Sequence, residues 1–262
     1  MDTLVFLDTE TTGLDLEHDR LIELCWTNGC EARYETKRFK PPVSISHSAM
    51  AVHHITNEDL EKCPVFKDSE TCKLFQDNLP SWTCCGHNVD YDLKMLSNEG
   101  LPQPKNKIDT IQVCRYLFPD LEQYSLQFLR YKFELNKKET GEIIPHTAEA
   151  DVKVLQLLFD HLKEELTKRM RTEGSNDEVV KEMIRITKEP LLLTKMPFGK
   201  WKGTLFSEIP YSYLKWAKDG LQDKNVVYSI NFFLNHLHLP SLQHPLQPSF
   251  QTRDSYLARM EL

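Results

Sequence analysis

Near the N-terminus two carboxylates lead into a turn, in Asp8-Thr9-Glu10-Thr11-Thr12-Gly13-Leu14. The run before them, Thr3-Leu4-Val5-Phe6-Leu7, is apolar and rich in strand formers, which predicts a buried strand ending on the acids. Side chains alternate along a strand, so Asp8 and Glu10 share a face. Two such carboxylates repel each other unless a cation sits between them, and hard divalent ions such as Mg²⁺ take oxygen ligands of this kind. Gly13 permits close approach of the backbone to a ligand. Alone, Asp-x-Glu is a weak signal, because charged residues often cap strands as solvated ends. Two later stretches add to it: His87-Asn88-Val89-Asp90-Tyr91-Asp92, and His146-Thr147-Ala148-Glu149-Ala150-Asp151.

In this order the three stretches resemble the motifs of the DEDDh exonucleases, a superfamily that includes proofreading exonucleases, ribonuclease T, oligoribonuclease and exonuclease X. The matching residues are Asp8 and Glu10, then Asp92, then His146 and Asp151. The resemblance is closest to the exonuclease X-like group. Between the motifs it runs through His47–Thr56, Lys107–Thr110, Arg115–Leu121 and Tyr124–Leu129. His54 is a departure, standing where many members of the family carry Gly or another residue.

The resemblance implies an α/β, ribonuclease H-like fold: a mixed five-stranded sheet flanked by helices, plus a small, mostly helical C-terminal domain. It implies metal-dependent 3′→5′ exonucleolysis that releases nucleoside 5′-monophosphates, with DNA the expected substrate, favoured over RNA. The implied cofactors are two divalent ions, Mg²⁺ with Mn²⁺ as a substitute, spaced about 4 Å apart. Asp8 would bridge them, Glu10 and Asp151 would hold one each, and Asp92 would complete the second site. His146, with an intrinsic pKa near ~6.5, would accept the proton of the attacking water. The implied partner is nucleic acid with a free 3′ end. The backbone of Thr11, Thr12 and Gly13 would meet the terminal 3′-OH, and Leu14, His53 and Ile55 would press on the terminal base. Local packing accounts equally well for Leu14 and Ile55, and a helix cap is the simpler reading of Asn88, the remaining candidate for substrate contact. Two other functions compete: an exoribonuclease like ribonuclease T or oligoribonuclease, and a non-catalytic nucleic-acid-binding module that keeps the fold. The intact carboxylate set argues against the second.

Strands predicted at 3–7, 21–26 and 31–39, the last two joined by an Asn28-Gly29 turn, form an antiparallel meander carrying the first motif. Helices are expected at 46–54, from Thr56 through a capping box, at 66–79, 89–97, 113–118 and 125–133. Strands at 82–87 and 107–110 complete a mixed sheet covered on both faces. His146 and Asp151 are five apart, about 140° around one helix. Thr147 is therefore expected to cap a helix, with His146 on the loop before it and Asp151 in its first turns. Val152, Leu155, Leu158, Phe159, Leu162 and Leu166 form that helix's core face.

The chain's −7 net charge is uneven. Nine of 32 Lys/Arg and six of 39 Asp/Glu lie from residue 188 onward, giving that part +3 and residues 1–187 −10. The charge suggests a local grip on phosphates, with help from the C-terminal part. Seven cysteines, odd in number and without a C-x-x-C pair, read as core thiols of a reducing cytoplasm rather than a zinc site. No apolar run approaches the ~20 residues that span a bilayer, and no secretory signal is visible. The domain expectation is an exonuclease domain at 1–171, a linker and connecting helix at 172–189, an exonuclease X-like module at 190–240 and an extended or disordered tail at 241–262. A DNA-repair role is the matching expectation. In the module, Lys200, Lys202, Lys215 and Lys218 with Trp201 read either as a nucleic-acid surface or as the solvated face of a tiny core holding Tyr213 and Trp216. The module is also the expected seat of any homodimer or protein contact.

Overall fold

A computed structural model describes residues 3–28, 33–139, 147–170, 175–221 and 223–236. The chain divides into two compact units. One comprises Met1–Cys114 and Gln123–Thr187, the other Arg115–Glu122 and Lys188–Leu262.

The first unit is built on a five-stranded sheet. Its strands are β1 (Leu4–Thr11), β2 (Leu21–Asn28), β3 (Glu35–Arg38), β4 (Thr83–Gly86) and β5 (Asn106–Asp109). Their order is β3-β2-β1-β4-β5. β1, β2 and β3 pair antiparallel, and β1, β4 and β5 pair parallel. This is the mixed sheet expected. The Asn28-Gly29 turn and the start of the third expected strand fall partly on residues outside the described ones.

Alternation along β1 sorts its side chains onto two layers. Phe6 points to α7 (Ala148–Met170), where its ring meets Phe159 edge-on at 5.0 Å. Val5 and Leu7 point the other way, into a core with Trp26, Phe75, Trp82, Leu93 and Leu96. Phe75 lies on α3 (Glu70–Asn78), and Leu93 and Leu96 lie on α4 (Val89–Asn98). Edge-on contacts of Phe75 with Trp26 and Trp82, at 5.3 and 5.2 Å, knit this layer. Truncating a fully buried Phe of this kind costs about 3–5 kcal/mol.

Polar residues set the helix starts. Ser46 caps α1 (His47–His53) by accepting from the Ala49 N–H at 3.2 Å. Thr56 and Asp59 form the expected capping box on α2 (Asn57–Leu60). Thr147 accepts from the Ala150 N–H at 3.3 Å at the head of α7, so Asp151 falls in the first turn as expected. α5 (Thr110–Leu117), α6 (Leu126–Lys132) and α8 (Asn176–Lys188) complete this part of the chain.

The second unit packs α9 (Tyr211–Lys218) and α10 (Lys224–His236) around Met196, Phe206, Ile209, Leu214, Ile230 and Phe233. Phe206 and Phe233 stack at 5.5 Å. Buried Asn225 and Ser229 accept from the backbone N–H groups of Leu191 and Leu193, each at 2.8 Å, which ties the entering strand of chain to α10. One expectation fails here. Trp216 is 72% exposed, not core, because the buried stripe of α9 is Leu214 and Ala217. The expected tail at 241–262 lies outside the described residues. No described helix is long and apolar enough to cross a membrane.

Candidate active site

The C-terminal end of β1 and the first turn of α7 converge. Asp8, Glu10 and Asp151 bring carboxylate oxygens within 4.8 Å of one another. Asp8 and Glu10 share the β1 face that looks onto α7, and Asp151 reaches back from that helix. All three are half-buried. Asp92 arrives from the first turn of α4 and is 4% exposed. Its Oδ1 accepts from the Thr9 N–H at 3.0 Å and the Thr9 hydroxyl at 2.7 Å. Asp92 is thus anchored to the centre of β1, beside the trio. His146 lies outside the described residues, immediately before Thr147.

Burial, then Asp92, Asp151, Glu10 and Glu23, push the Asp8 carboxyl well above the usual carboxylate range. Burial, then Asp151, Glu23 and Asp92, push Glu10 up to about 8. Asp92 is pushed up to about 7, burial outweighing the Thr9 hydrogen bonds that pull it down. The charges that act most on Asp8 and Glu10 all come from carboxylates. An all-oxygen, anionic donor set of this kind fits a hard divalent ion.

The turn after Glu10 is tightly organised. Thr12 is fully buried; its N–H donates to the Arg20 carbonyl at 2.9 Å and its hydroxyl to Asp19 at 2.6 Å. The Thr12 carbonyl accepts from Ser46 N–H at 2.9 Å. The Thr11 hydroxyl and the Tyr91 hydroxyl both reach the Gly13 carbonyl, at 2.7 and 2.8 Å. At Gly13 a Cβ would lie 2.5 Å from the Asp19 carboxylate, which is itself held by Thr12 and by the Asp15 N–H at 2.7 Å. Leu14 beyond the turn is 86% exposed. Ile55 is instead 3% exposed, in a small core with Ile22, Ile45 and Leu60, so it packs locally. His53 is 5% exposed, and its Nδ1 accepts from the Ile55 N–H at 3.0 Å. Asn88 precedes α4 in the left-handed region (φ 75°), and its side chain makes no capping bond. The cap reading therefore fails for its side chain; its N–H donates to Asp109 at 3.2 Å.

Sequence reasoning missed a supporting layer. Glu23 faces Glu10 across the β1–β2 pair, is 3% exposed, and binds Arg38 at 2.6 Å. Gln127 on α6 donates to Asp151 Oδ1 at 2.9 Å. Behind it Arg130 donates to the Gln127 side-chain Oε1 at 3.1 Å and forks onto Glu139 at 2.5 and 2.6 Å. Nothing in the sequence pairs Glu23 with Glu10; only the strand register sets the two opposite each other.

Residues 5–159 match the Exonuclease family (RNase_T). The chain belongs to this family. It is a 3′→5′ exonuclease of the DnaQ-like DEDDh superfamily, whose members are metal-dependent. This exonuclease is 32% identical over 163 residues to DNA polymerase III subunit epsilon of Treponema pallidum (strain Nichols), covering 58% of this chain and 72% of that one. It is 27% identical over 221 residues to exodeoxyribonuclease 10 of Escherichia coli (strain K12), covering 83% of this chain and 91% of that one. Among solved structures, exonuclease X in complex with 5′ overhanging duplex DNA superposes with a TM-score of 0.54 at 23% identity, covering 70% of this chain and 99% of that one. That likeness establishes the ribonuclease H-like exonuclease fold. Residues 187–222 match a second family, described as "Putative quorum-sensing-regulated virulence factor".

Proposed function

We propose that this exonuclease degrades DNA from the 3′ end, releasing nucleoside 5′-monophosphates, with Mg²⁺ as its natural ion. The convergence of Asp8, Glu10 and Asp151 within 4.8 Å carries the reading. The choice of DNA is supported by the name of the E. coli relative, an exodeoxyribonuclease matched over 91% of its length. Asp8, Glu10 and Asp151, with Asp92 beside them, would hold two divalent ions. Such a pair supplies charge neutralisation and a water acidic enough to attack a phosphodiester at neutral pH. His146 would accept the proton of the water that attacks phosphorus, and the 3′-oxygen of the penultimate nucleotide would leave. The Thr11–Gly13 turn forms the wall against which the terminal nucleotide rests, and exposed Leu14 presses on its base. Thr9 holds Asp92 in place by its two hydrogen bonds. The domain expectation goes with this reading: a catalytic domain at 1–171, a linker and connecting helix at 172–189, and a module at 190–240.

The test is a gel assay on 5′-labelled single-stranded DNA, duplex DNA with a recessed 3′ end, and matched RNA. Each is run with Mg²⁺ and with EDTA, beside Asp8→Ala. A metal-dependent ladder shortening from the 3′ end, fastest on DNA and absent in Asp8→Ala, is expected. Faster shortening of RNA would overturn the DNA assignment. No ladder on any substrate from folded protein would overturn the catalytic reading in favour of a binding module.

A further inference from the structure

The second unit carries an aromatic strip that the chemistry above does not use: Trp201 and Tyr213 pack half-buried against its core, and Trp216 stands outside it. Trp201 and Tyr213 meet at 5.8 Å, and Tyr213 and Trp216 meet at 5.5 Å. Lys200 lies over the Trp201 ring, 5.4 Å from its centroid. At the other end Trp216 stands 72% exposed on α9, with Lys215 and Lys218 exposed beside it. From Met196 to Lys218 the chain holds four lysines, at 200, 202, 215 and 218, and one acid, Glu208. All four lysines are exposed, and no ion pair holds any of them among the described residues.

Leaving a tryptophan in water forfeits the apolar burial its ring could gain, so its exposure calls for an occupant. Lysines are depleted from protein–protein contacts, where their desolvation goes unrepaid. A single-stranded nucleic acid answers both features, since every base has a face to stack and every phosphate a charge to pair. Residues 1–187 carry −10, so their net charge does not favour a polyanion, and a basic contact elsewhere would add to its grip.

We propose that the α9 face bearing Trp216, continued by Tyr213 and Trp201 and flanked by Lys200, Lys215 and Lys218, binds single-stranded DNA as a second contact outside the catalytic cluster. This rests on the proposed action on DNA.

The test uses the full chain in EDTA, where nothing is cut, and follows the anisotropy of a labelled oligothymidylate of about 20 nucleotides, longer than one binding site. Trp216→Ala is expected to weaken binding about tenfold, and Trp216→Phe, which keeps a stacking ring, to restore most of it. Lys215→Ser with Lys218→Ser is expected to reduce the slope of log K against log salt by about 1.4. With Mg²⁺, Trp216→Ala raises KM on the long oligonucleotide and leaves kcat on a dinucleotide unchanged. Wild-type affinity and salt slope in these variants would overturn the inference. So would a change in self-association by sedimentation with DNA affinity unaltered, which would assign the face to a second copy of the chain. Failure of the nuclease reading shows separately, as a wild-type protein that cuts nothing, and does not alter the binding measured in EDTA.

Discussion

Asp151 depends on a side chain far from it in sequence. Gln127 donates to it, and Arg130 fixes the Gln127 amide by occupying its carbonyl oxygen, which leaves the NH₂ end to face the carboxylate. Arg130 is 6% exposed and is held by both Glu139 oxygens, so this orientation is backed by a rigid support. Groups that orient a metal ligand typically contribute ten- to hundredfold in metal affinity. Gln127→Leu is therefore expected to weaken Mn²⁺ binding about tenfold by calorimetry while melting near the wild-type temperature. Unchanged Mn²⁺ affinity would mean Asp151 is oriented by other partners. Asp8 makes the converse case. The charges that act most on it, Asp92, Asp151, Glu10 and Glu23, are negative, so Asp8→Asn should remove Mn²⁺ binding yet raise the melting temperature of the metal-free protein. A relief of about 1 kcal/mol corresponds to about 3 °C in a domain of this size; a lower melting temperature would show that the carboxylate is a structural acceptor. The acids that the structure brings together were legible from three short motifs. Gln127 was not, because nothing local in α6 marks which of its faces meets α7.

At the level of elements, local chemistry announced what it controls and no more. The starts of α1, α2 and α7 follow from Ser46, Thr56 and Thr147, each of which accepts a backbone N–H within its own first turn. On α9 only Trp216 was misread: Tyr213 packs half-buried against the core beside Leu214 and Ala217, while Trp216, spaced equally well for burial, stays outside it. The end of α1 carries a testable cost. His54 closes that helix in the left-handed region (φ 60°, ψ 17°), its N–H donating to Met50 at 2.9 Å. A Cβ is penalised there by about 1 kcal/mol, and glycine escapes the penalty. His54→Gly is accordingly expected to raise the urea midpoint by an amount equivalent to about 1 kcal/mol, without a change in slope. A fall would show that the imidazole makes contacts worth more than the strain it imposes.

For the whole molecule, the carboxylate cluster makes folding and ion binding one equilibrium. Glu10 ordinarily titrates near 4.5 and Asp92 near 3.8, and in the fold they rise to about 8 and about 7. Asp8 rises as well. An acid whose pKa is higher in the folded than in the unfolded state takes up a proton on folding. Its stabilising contribution is therefore full at low pH, declines as pH rises past the unfolded pKa, and stops declining above the folded one. The metal-free protein should lose stability steadily from about pH 4 to about pH 8 through these groups. Divalent ions replace those protons, so the stabilisation by Mn²⁺ should be small near pH 5 and grow toward pH 8. The measurement is a melting series across this range in EDTA and in excess Mn²⁺, read as the gap between the two curves. A widening gap, by several degrees over the window, is expected. Asp8→Asn separates this from any general effect of ions on the negative surface, since in that variant the gap should be narrow at every pH. A wild-type gap that stays constant with pH would mean that protons and divalent ions do not compete for the same oxygens, and that the cluster is not where the ion binds.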